Sequence, residues 1–295
     1  MTAWRWLRNR AWPFLLAVGH RFIEDEGWVL SGHLAFSGMM ALIPFLIFAT
    51  ALTGYVIGPA GGQAVLEQLF LTVPEYVART LEPVVIEVSS QSRGGLLTVS
   101  AFGAMWAASN GVEALRVGFD RAYDVEAYRH IAWSWLISIG VVLVGFLLFI
   151  LLAVLFVAAP VLFAFIEAWS GADIPREADV IRYGVGFSVL ALSLWGMHWV
   201  LPSRRMRGLK LWPGIVSSLA LWSAAASIFG LYLSYTPYYT VTYGTLAGVV
   251  IALLFMYFSG SIVILGAEIN AVYNREELAR RGARRSRRPA PPEVH

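Results

Sequence analysis

The stretch YGTLAGVVIALLFMYFSGSIVILGAEINAVY, residues 243–273, carries no charged side chain from Leu246 to Ala267. An apolar helix of about 20 residues is long enough to cross the hydrocarbon core of a bilayer. The stretch then reaches a carboxylate, Glu268, and an amide, Asn270, before it returns to apolar residues. It therefore predicts a membrane-spanning helix with polar side chains at one end.

The composition extends this prediction to the whole chain. Of the 295 residues, 58% are hydrophobic and 14% are charged, and the mean hydropathy is +0.65. Soluble domains carry about 25% charged residues, so this chain has too few polar side chains to cover a surface in water. The absence of cysteine excludes disulfides, thiolate metal sites and cysteine catalysis. The sequence indicates an integral membrane protein.

Apolar windows recur along the chain, and the predicted fold is all-α, a polytopic bundle of six transmembrane helices with amphipathic helices on its outer face. We place the spans at 34–57, 96–116, 134–166, 183–201, 212–234 and 244–272. The third window is longer than a bilayer core requires, so a tilt or a kink near Pro160 is expected there. Pro44 is a second candidate kink, because proline removes a hydrogen bond inside a helix.

The remaining segments divide the chain further. Residues 34–273 form the transmembrane domain, preceded by a short cytoplasmic interfacial helix within 1–33. Residues 61–93 are too polar to span, but their apolar residues recur at helical spacing. This outer amphipathic segment either packs against the bundle or forms a lid over a substrate path. The tail, 274–295, is basic and then rich in proline, and we expect it to be disordered.

The distribution of positive charge predicts the orientation. Of the 22 Lys and Arg residues, 18 lie in the N-terminus, in 116–133, in 202–211 and in the tail. Loops that flank membrane spans and carry Lys and Arg stay in the cytoplasm, so both termini are predicted to be cytoplasmic. The arginines of the tail then act as a topology anchor or bind anionic lipid headgroups.

Six polar residues fall at a similar depth on the cytoplasmic side of this topology, and they form the candidate substrate-binding set: Asn110, Glu113, Arg116, His198, Glu268 and Asn270. A carboxylate within the membrane is costly unless it has a partner or water. One interpretation is a polar pocket open to the cytoplasm. The other is a structural lock, in which the two glutamates pair with Arg116, Arg121 or Arg275. His198 fits a structural role or a proton carrier.

Small residues predict close contacts between helices. Gly103, Ala107 and Gly111 follow one another at intervals of four residues, as do Gly244 and Gly248. This spacing lets two helix backbones approach each other in a membrane. It supports a compact bundle and does not discriminate between functions.

Three blocks of the sequence carry a family resemblance. They are LAFSGMMALIPFLIF (34–48), WAASNGVEALRVGFDRAYDV (106–125) and the block that begins at Thr242 and ends at Tyr273. In this order they resemble the YihY/virulence factor BrkB family, formerly labelled ribonuclease BN. The resemblance implies a bacterial inner-membrane protein with six helices, and export or lipid movement is suspected for some members. It transfers no catalytic residues.

The sequence gives no support to an enzyme. Its five histidines are scattered and fit no metal-binding spacing: His20, His33, His130, His198 and His295. No phosphate-binding GxxxxGK[ST] loop is present. We therefore expect no metal, no cofactor and no nucleic-acid partner, with membrane lipids as the partners. The leading hypothesis is a transporter or flippase of a lipid or other amphiphile, and the alternative is a non-transporting membrane scaffold or envelope assembly factor. The sequence does not indicate an oligomeric state.

Overall fold

The structure of the protein is a computed structural model that describes residues 11–42, 44–45, 47–48, 94–126, 129–158, 163, 167, 169–170, 177–204, 208–235 and 246–286. All regular secondary structure in these ranges is helical. The predicted all-α class is confirmed for the part of the chain that is described.

The helices are numbered in chain order. They are α1 (Trp12–Glu24), α2 (27–42, with 44–45 and 47–48 also helical), α3 (Gly94–Ala122), α4 (Ile131–Ala153, followed by the π-helical turn Val154–Ala158), α5 (Glu177–Val200), α6 (Trp212–Tyr235) and α7 (Leu246–Ser286).

Four of these helices contain segments that are long and apolar enough to cross a membrane: Ile131–Phe156, Val180–Val200, Trp212–Leu231 and Gly248–Arg280. They correspond to the last four predicted spans. The second predicted span, 96–116, lies within α3, and the first, 34–57, is only partly described. The total of six spans stays a prediction.

Several predicted features lie outside the described residues, namely the outer amphipathic segment, Pro160, Gly244 and residues 287–295. The structure differs from the predicted tail boundary at 274, because α7 continues to Ser286. Residues 275–286 include Glu, Leu, Ala and Arg, all of which favour helix. Glu276 and Arg280 form an ion pair across one turn, at 2.8 Å.

A tight turn joins α1 to α2. Proline in the first turn of α1 fixes a helical backbone where no intrahelical hydrogen bond is lost. After α1, Glu26 adopts a left-handed conformation with φ 58°. Gly27 follows it, and a side chain at this position would overlap the ring of Phe22. The turn thereby places the ring of Phe22 against Gly27 and Trp28 at the start of α2.

The core lies at one end of the bundle, where α1 and the start of α2 meet the C-terminal part of α3, the end of α5 and the middle of α7. Its buried members are Phe22, Leu30, Leu115, Phe119, Ala122, Leu201, Ile264 and Ala267. Val18 of α1 packs nearby on Ile269 and Val272. By contrast, no residue of the most apolar window of Ile131–Phe156 is buried within the protein. Lipid chains are as apolar as these side chains, so a membrane can cover them.

Glycines set the closest helix contacts. A side chain at Gly214 of α6 would collide with the carbonyl oxygen of Gly266 and the side chain of Asn270, both on α7. A side chain at Gly266 would collide with Ser218. Of the predicted packing glycines, Gly103 lies against Pro44 and Gly111 against Leu34 and Ser37. Gly248, near the start of α7, is buried.

Candidate functional site

Polar side chains gather at the same end of the bundle as the core. Glu268 of α7 is fully buried. Its Oε2 accepts a hydrogen bond of 3.1 Å from Nε of Arg21 in α1. Its other oxygen, Oε1, has no donor among the described residues. This contact ties α1 to the last helix.

Arg21 is the centre of a wider set of contacts. Its Nη2 donates to the backbone oxygen of Ala122 at 3.1 Å, to Asp124 at 3.3 Å and to Asp25 at 3.4 Å. Arg275 forms a second ion pair with Asp124. The guanidinium of Arg21 therefore joins α1, the end of α3 and α7. We refer to Arg21, Asp25, Asp124, Glu268 and Arg275 as the Arg21 cluster.

Asn270 lies two residues after Glu268 and forms a hydrogen bond with a different helix, α6. Its buried Oδ1 accepts a hydrogen bond of 2.7 Å from the backbone N–H of Gly214, in the first turn of α6. The first N–H groups of a helix have no partner within the helix, so Asn270 supplies one from a neighbouring helix. Its Nδ2 donates to the hydroxyl of Tyr123 at 3.4 Å.

Tyr123 connects Asn270 to His198. Its hydroxyl lies 3.0 Å from Nδ1 of His198, which is fully buried and stacked on Phe119 with ring centroids 4.5 Å apart. Burial raises the pKa of Tyr123 well above its usual range, so the hydroxyl keeps its proton. Nε2 of His198 is buried and has no hydrogen-bond partner among the described residues.

A third group forms around Arg116. Its side chain donates to Glu113 at 2.9 Å, to Asp120 at 2.7 Å and to Ser203 at 2.8 Å. Asp120 also accepts from the backbone N–H and the hydroxyl of Ser203, at 2.6 and 2.5 Å. Oε2 of Glu113 is buried and has no donor in the described part of the chain. These contacts fix the segment after α5 to the C-terminal half of α3.

The structure therefore distributes five of the six predicted residues over three groups and leaves Asn110 outside them. Glu268 lies in the Arg21 cluster, His198 and Asn270 share Tyr123, and Glu113 and Arg116 pair with each other. Asn110 is half-buried one turn before Glu113, and no described contact joins it to the other five.

Sequence reasoning missed several members of the site. Arg21 counted only as a topology signal, and Tyr123 only as part of a family motif. Asn274 is a further case: its amide accepts from the backbone N–H of Lys210 and donates to the carbonyl of the same residue, both at 2.9 Å. The repeat of Asn270 and Asn274 at an interval of four residues places both amides on one face of α7, and that spacing was a usable signal.

The described residues contain no group of three His, Asp or Glu side chains placed to hold a metal ion. Most polar atoms of the three groups bond one another instead. Three buried atoms in the three groups have no hydrogen-bond partner among the described residues: Oε1 of Glu268, Oε2 of Glu113 and Nε2 of His198.

The described residues are helical, four of their helices contain segments long and apolar enough to cross a membrane, and polar side chains gather at one end of the bundle. These features define an integral membrane protein. The model of the virulence factor BrkB family matches residues 18–291. The chain belongs to this family.

Curated relatives agree with this assignment. The chain is 30% identical over 278 residues to a ribonuclease-like protein, YfkH of Bacillus subtilis (strain 168), covering 90% of this chain and 96% of that one. It is 25% identical over 276 residues to a UPF0761 membrane protein of Coxiella burnetii (strain Dugway 5J108-111), covering 92% and 96%.

A further relative is longer. A UPF0761 membrane protein of Delftia acidovorans (strain DSM 14801 / SPH-1) is 27% identical over 261 residues, which cover 85% of this chain and 60% of that protein. No solved structure is significantly similar to the chain.

Proposed function

We propose that the protein moves a lipid or another amphiphile across the membrane, with the polar headgroup held at the cytoplasmic end of the bundle. The observation that carries this proposal is the set of buried polar atoms on Glu268, Glu113 and His198 that have no partner among the described residues. Leaving such an atom unsatisfied costs about 1–3 kcal/mol. A headgroup with donors and acceptors would remove that cost, so these atoms suit transient binding.

An amphiphile fits the surroundings better than a small ion does. The described spans carry their polar contacts at one end, while side chains of α4 such as Leu143, Leu147 and Phe149 are exposed and apolar. Acyl chains could follow those faces while the headgroup stays among polar side chains. The residues we assign to the headgroup are the predicted set: Asn110, Glu113, Arg116, His198, Glu268 and Asn270.

A vesicle assay tests this function. Purified protein is reconstituted with lipids that carry a fluorescent headgroup, and a membrane-impermeant quencher reports how much label reaches the outer leaflet, with and without a pH gradient. Zwitterionic, anionic and cationic headgroups are compared. We expect faster exchange than in protein-free vesicles for at least one headgroup, and loss of that gain in Glu268→Gln. Glu276→Gln, which alters an exposed glutamate on the same helix, serves as the control. Rates equal to those of empty vesicles for every headgroup would refute transport.

The second candidate is a non-transporting scaffold or envelope assembly factor. It is favoured by the number of contacts that bind helices together, above all the four acceptors around Arg21. The conservative variant Glu268→Gln separates the two candidates. A folded variant without exchange activity supports transport. Loss of folding or expression supports the scaffold, in which Glu268 only holds helices together.

We do not extend the ribonuclease-like name of the Bacillus relative to this chain. Metal-dependent RNA hydrolysis requires clustered histidines and carboxylates at an accessible site, and the histidines of this sequence are scattered. Incubation of the purified protein with RNA and divalent cations checks this point, and we expect no cleavage above that of a mock purification.

We place both termini on the cytoplasmic side of a bacterial inner membrane, with the arginines of the tail near anionic headgroups. The support is the predicted charge distribution. Alkaline phosphatase fused at Gly171 is expected to be active and fused at Gly208 inactive. The opposite pattern would reverse the orientation.

A further inference from the structure

We propose that the headgroup carries a primary ammonium group and binds on α3, where Ser109 and Glu113 accept hydrogen bonds from it. This inference rests on the proposed function, since it takes the ligand to be a lipid or another amphiphile. It adds the chemical class of the headgroup and one residue, Ser109, that the predicted set does not contain. We refer to Ser109 and Glu113 as the α3 acceptor pair.

The α3 acceptor pair presents two oxygens without a donor. Ser109 is 2% exposed, and its Oγ has no hydrogen-bond partner among the described residues. Oε2 of Glu113 is buried and equally without a donor in that part of the chain. The two residues are four positions apart, so their side chains are neighbours on one face of the helix. One donor group placed between them can reach both oxygens.

Arg116 holds Glu113 in place for such a ligand. Its guanidinium donates to Oε1 of Glu113 from Nε at 2.9 Å and from Nη2 at 2.5 Å. The same guanidinium bonds Asp120 at 2.7 Å and Ser203 at 2.8 Å. One carboxylate oxygen is therefore fixed by the protein, and the other is left for a ligand. A site held in this way loses little freedom when the ligand binds.

The chemistry of the two oxygens selects the ligand. A carboxylate oxygen accepts hydrogen bonds and cannot donate them, whereas a hydroxyl can do both. A phosphate would meet the carboxylate of Glu113 with repulsion, and a trimethylammonium group has no N–H to donate. A primary ammonium group supplies a positive charge and three N–H donors. Hydrogen bonds between charged groups are stronger than those between neutral ones, so this group fits the pair best.

The surroundings of the pair suit an amphiphile. The side chain of Glu113 is 34% exposed, so a ligand can approach it, whereas Glu268 is fully buried. The same face of α3 continues through Trp106 and Phe102, because residues 102, 106, 109 and 113 follow one another at helical spacing. Both aromatic side chains are exposed. Acyl chains can pack along them while the headgroup lies at the polar end of the face.

Binding of two lipids to the full-length protein in detergent tests the assignment. The lipids have the same short acyl chains and carry either ethanolamine, a primary ammonium, or choline, its trimethylated form. Their apparent affinities are measured from the rise in the melting temperature. We expect the ethanolamine lipid to bind about tenfold more tightly or better, since the choline lipid forms neither hydrogen bond. Equal affinities in the natural protein would overturn the assignment, and this comparison needs no variant.

Ser109→Ala sharpens the comparison. It removes a buried hydroxyl without a partner, so we expect the variant to fold. Its affinity for the ethanolamine lipid should fall about tenfold, and its affinity for the choline lipid should not change. Ser227→Ala, which alters an exposed serine of α6, is the matched control and should keep the selectivity. A folded Ser109→Ala protein with the selectivity of the natural protein would overturn the role of Ser109.

Vesicle exchange of the same two headgroups separates this inference from the proposed transport. The fluorescent label is placed on an acyl chain, because a label on the amine would remove its donors. Selective binding of the ethanolamine lipid without exchange of either lipid would refute transport and leave the binding site. Exchange of both lipids at equal rates, with equal affinities, would refute the binding site and leave transport. Neither binding nor exchange would refute both.

Discussion

The polar end of the bundle and the length of α4 are built differently. At the polar end, α1, α3, α5 and α7 bury Phe119, Ile264 and a set of hydrogen-bonded side chains. Along α4, Leu143, Leu147 and Phe149 are exposed, and Leu147 is 64% accessible. Protein contacts hold the first region together, while the membrane covers the second. Substitutions should therefore be costly at the polar end and mild along α4.

Truncation of the core should have the largest effect. Ile264→Ala removes a side chain that is 1% exposed and leaves a cavity, with an expected loss of about 4 kcal/mol in the free energy of unfolding. Leu147→Ala, on α4, should change stability by no more than about 0.5 kcal/mol. Unfolding of both variants in the same detergent measures the difference. Equal losses would show that the two regions are packed alike.

Removal of Arg21 should have the next largest effect. In Arg21→Met, three carboxyl groups face the single guanidinium of Arg275, and the backbone oxygen of Ala122 loses a donor. We expect a loss of about 3 kcal/mol. The control is Arg280→Met, which breaks the exposed pair with Glu276 and should cost about 0.5 kcal/mol or less. A near-zero effect of Arg21→Met would mean that α1 is not held by this residue.

The α6–α7 contact should be the next most sensitive feature. Gly214→Ala introduces a methyl group against the backbone of Gly266, which forces the helices apart at a cost of about 2 kcal/mol. Gly230→Ala, on the same helix, meets nothing within 4 Å and should be neutral or slightly stabilising. Thermal unfolding of the pair tests the contact, and equal melting temperatures would contradict it.

Tyr123→Phe should have the smallest of these effects. It removes the hydroxyl that lies between His198 and Asn270, at an expected cost of about 1 kcal/mol. Tyr257→Phe, a matched loss of a phenolic hydroxyl on α7, is the control. If both substitutions change the midpoint of unfolding equally, Tyr123 does not link the two side chains.

The sequence predicted the helical class and offered Arg116 as a partner of Glu113, which is the pair in the structure, but it did not predict the partner of Glu268. Hydropathy is a local property, so four spans could be placed from windows of about 20 residues. The contact between Arg21 and Glu268 joins residues 247 positions apart, and no periodic pattern encodes such a pairing. The predicted partners of Glu268 were arginines near the same ends of the spans, whereas the observed one lies on α1.

Glycine spacing predicted some of the close helix contacts and missed others. The four-residue interval identified Gly103 and Gly111, and both contact the first span. Gly103 lies against Pro44, and Gly111 lies against Leu34 and Ser37. The tighter crossing at Gly214 and Gly266 uses one glycine from each helix. A repeat within one helix cannot reveal a contact formed by single residues on two helices, so sequence reasoning did not find it.

The central claim is that the polar end is one packed unit in which α1 is bound to α7 through Arg21 and Glu268. A double-mutant cycle with Arg21→Met and Glu268→Gln, read out as the free energy of unfolding in detergent, tests it most directly. We predict a coupling energy of about 1–3 kcal/mol, so that the double variant is less destabilised than the sum of the single variants. Additive effects, with a coupling near zero, would contradict the claim.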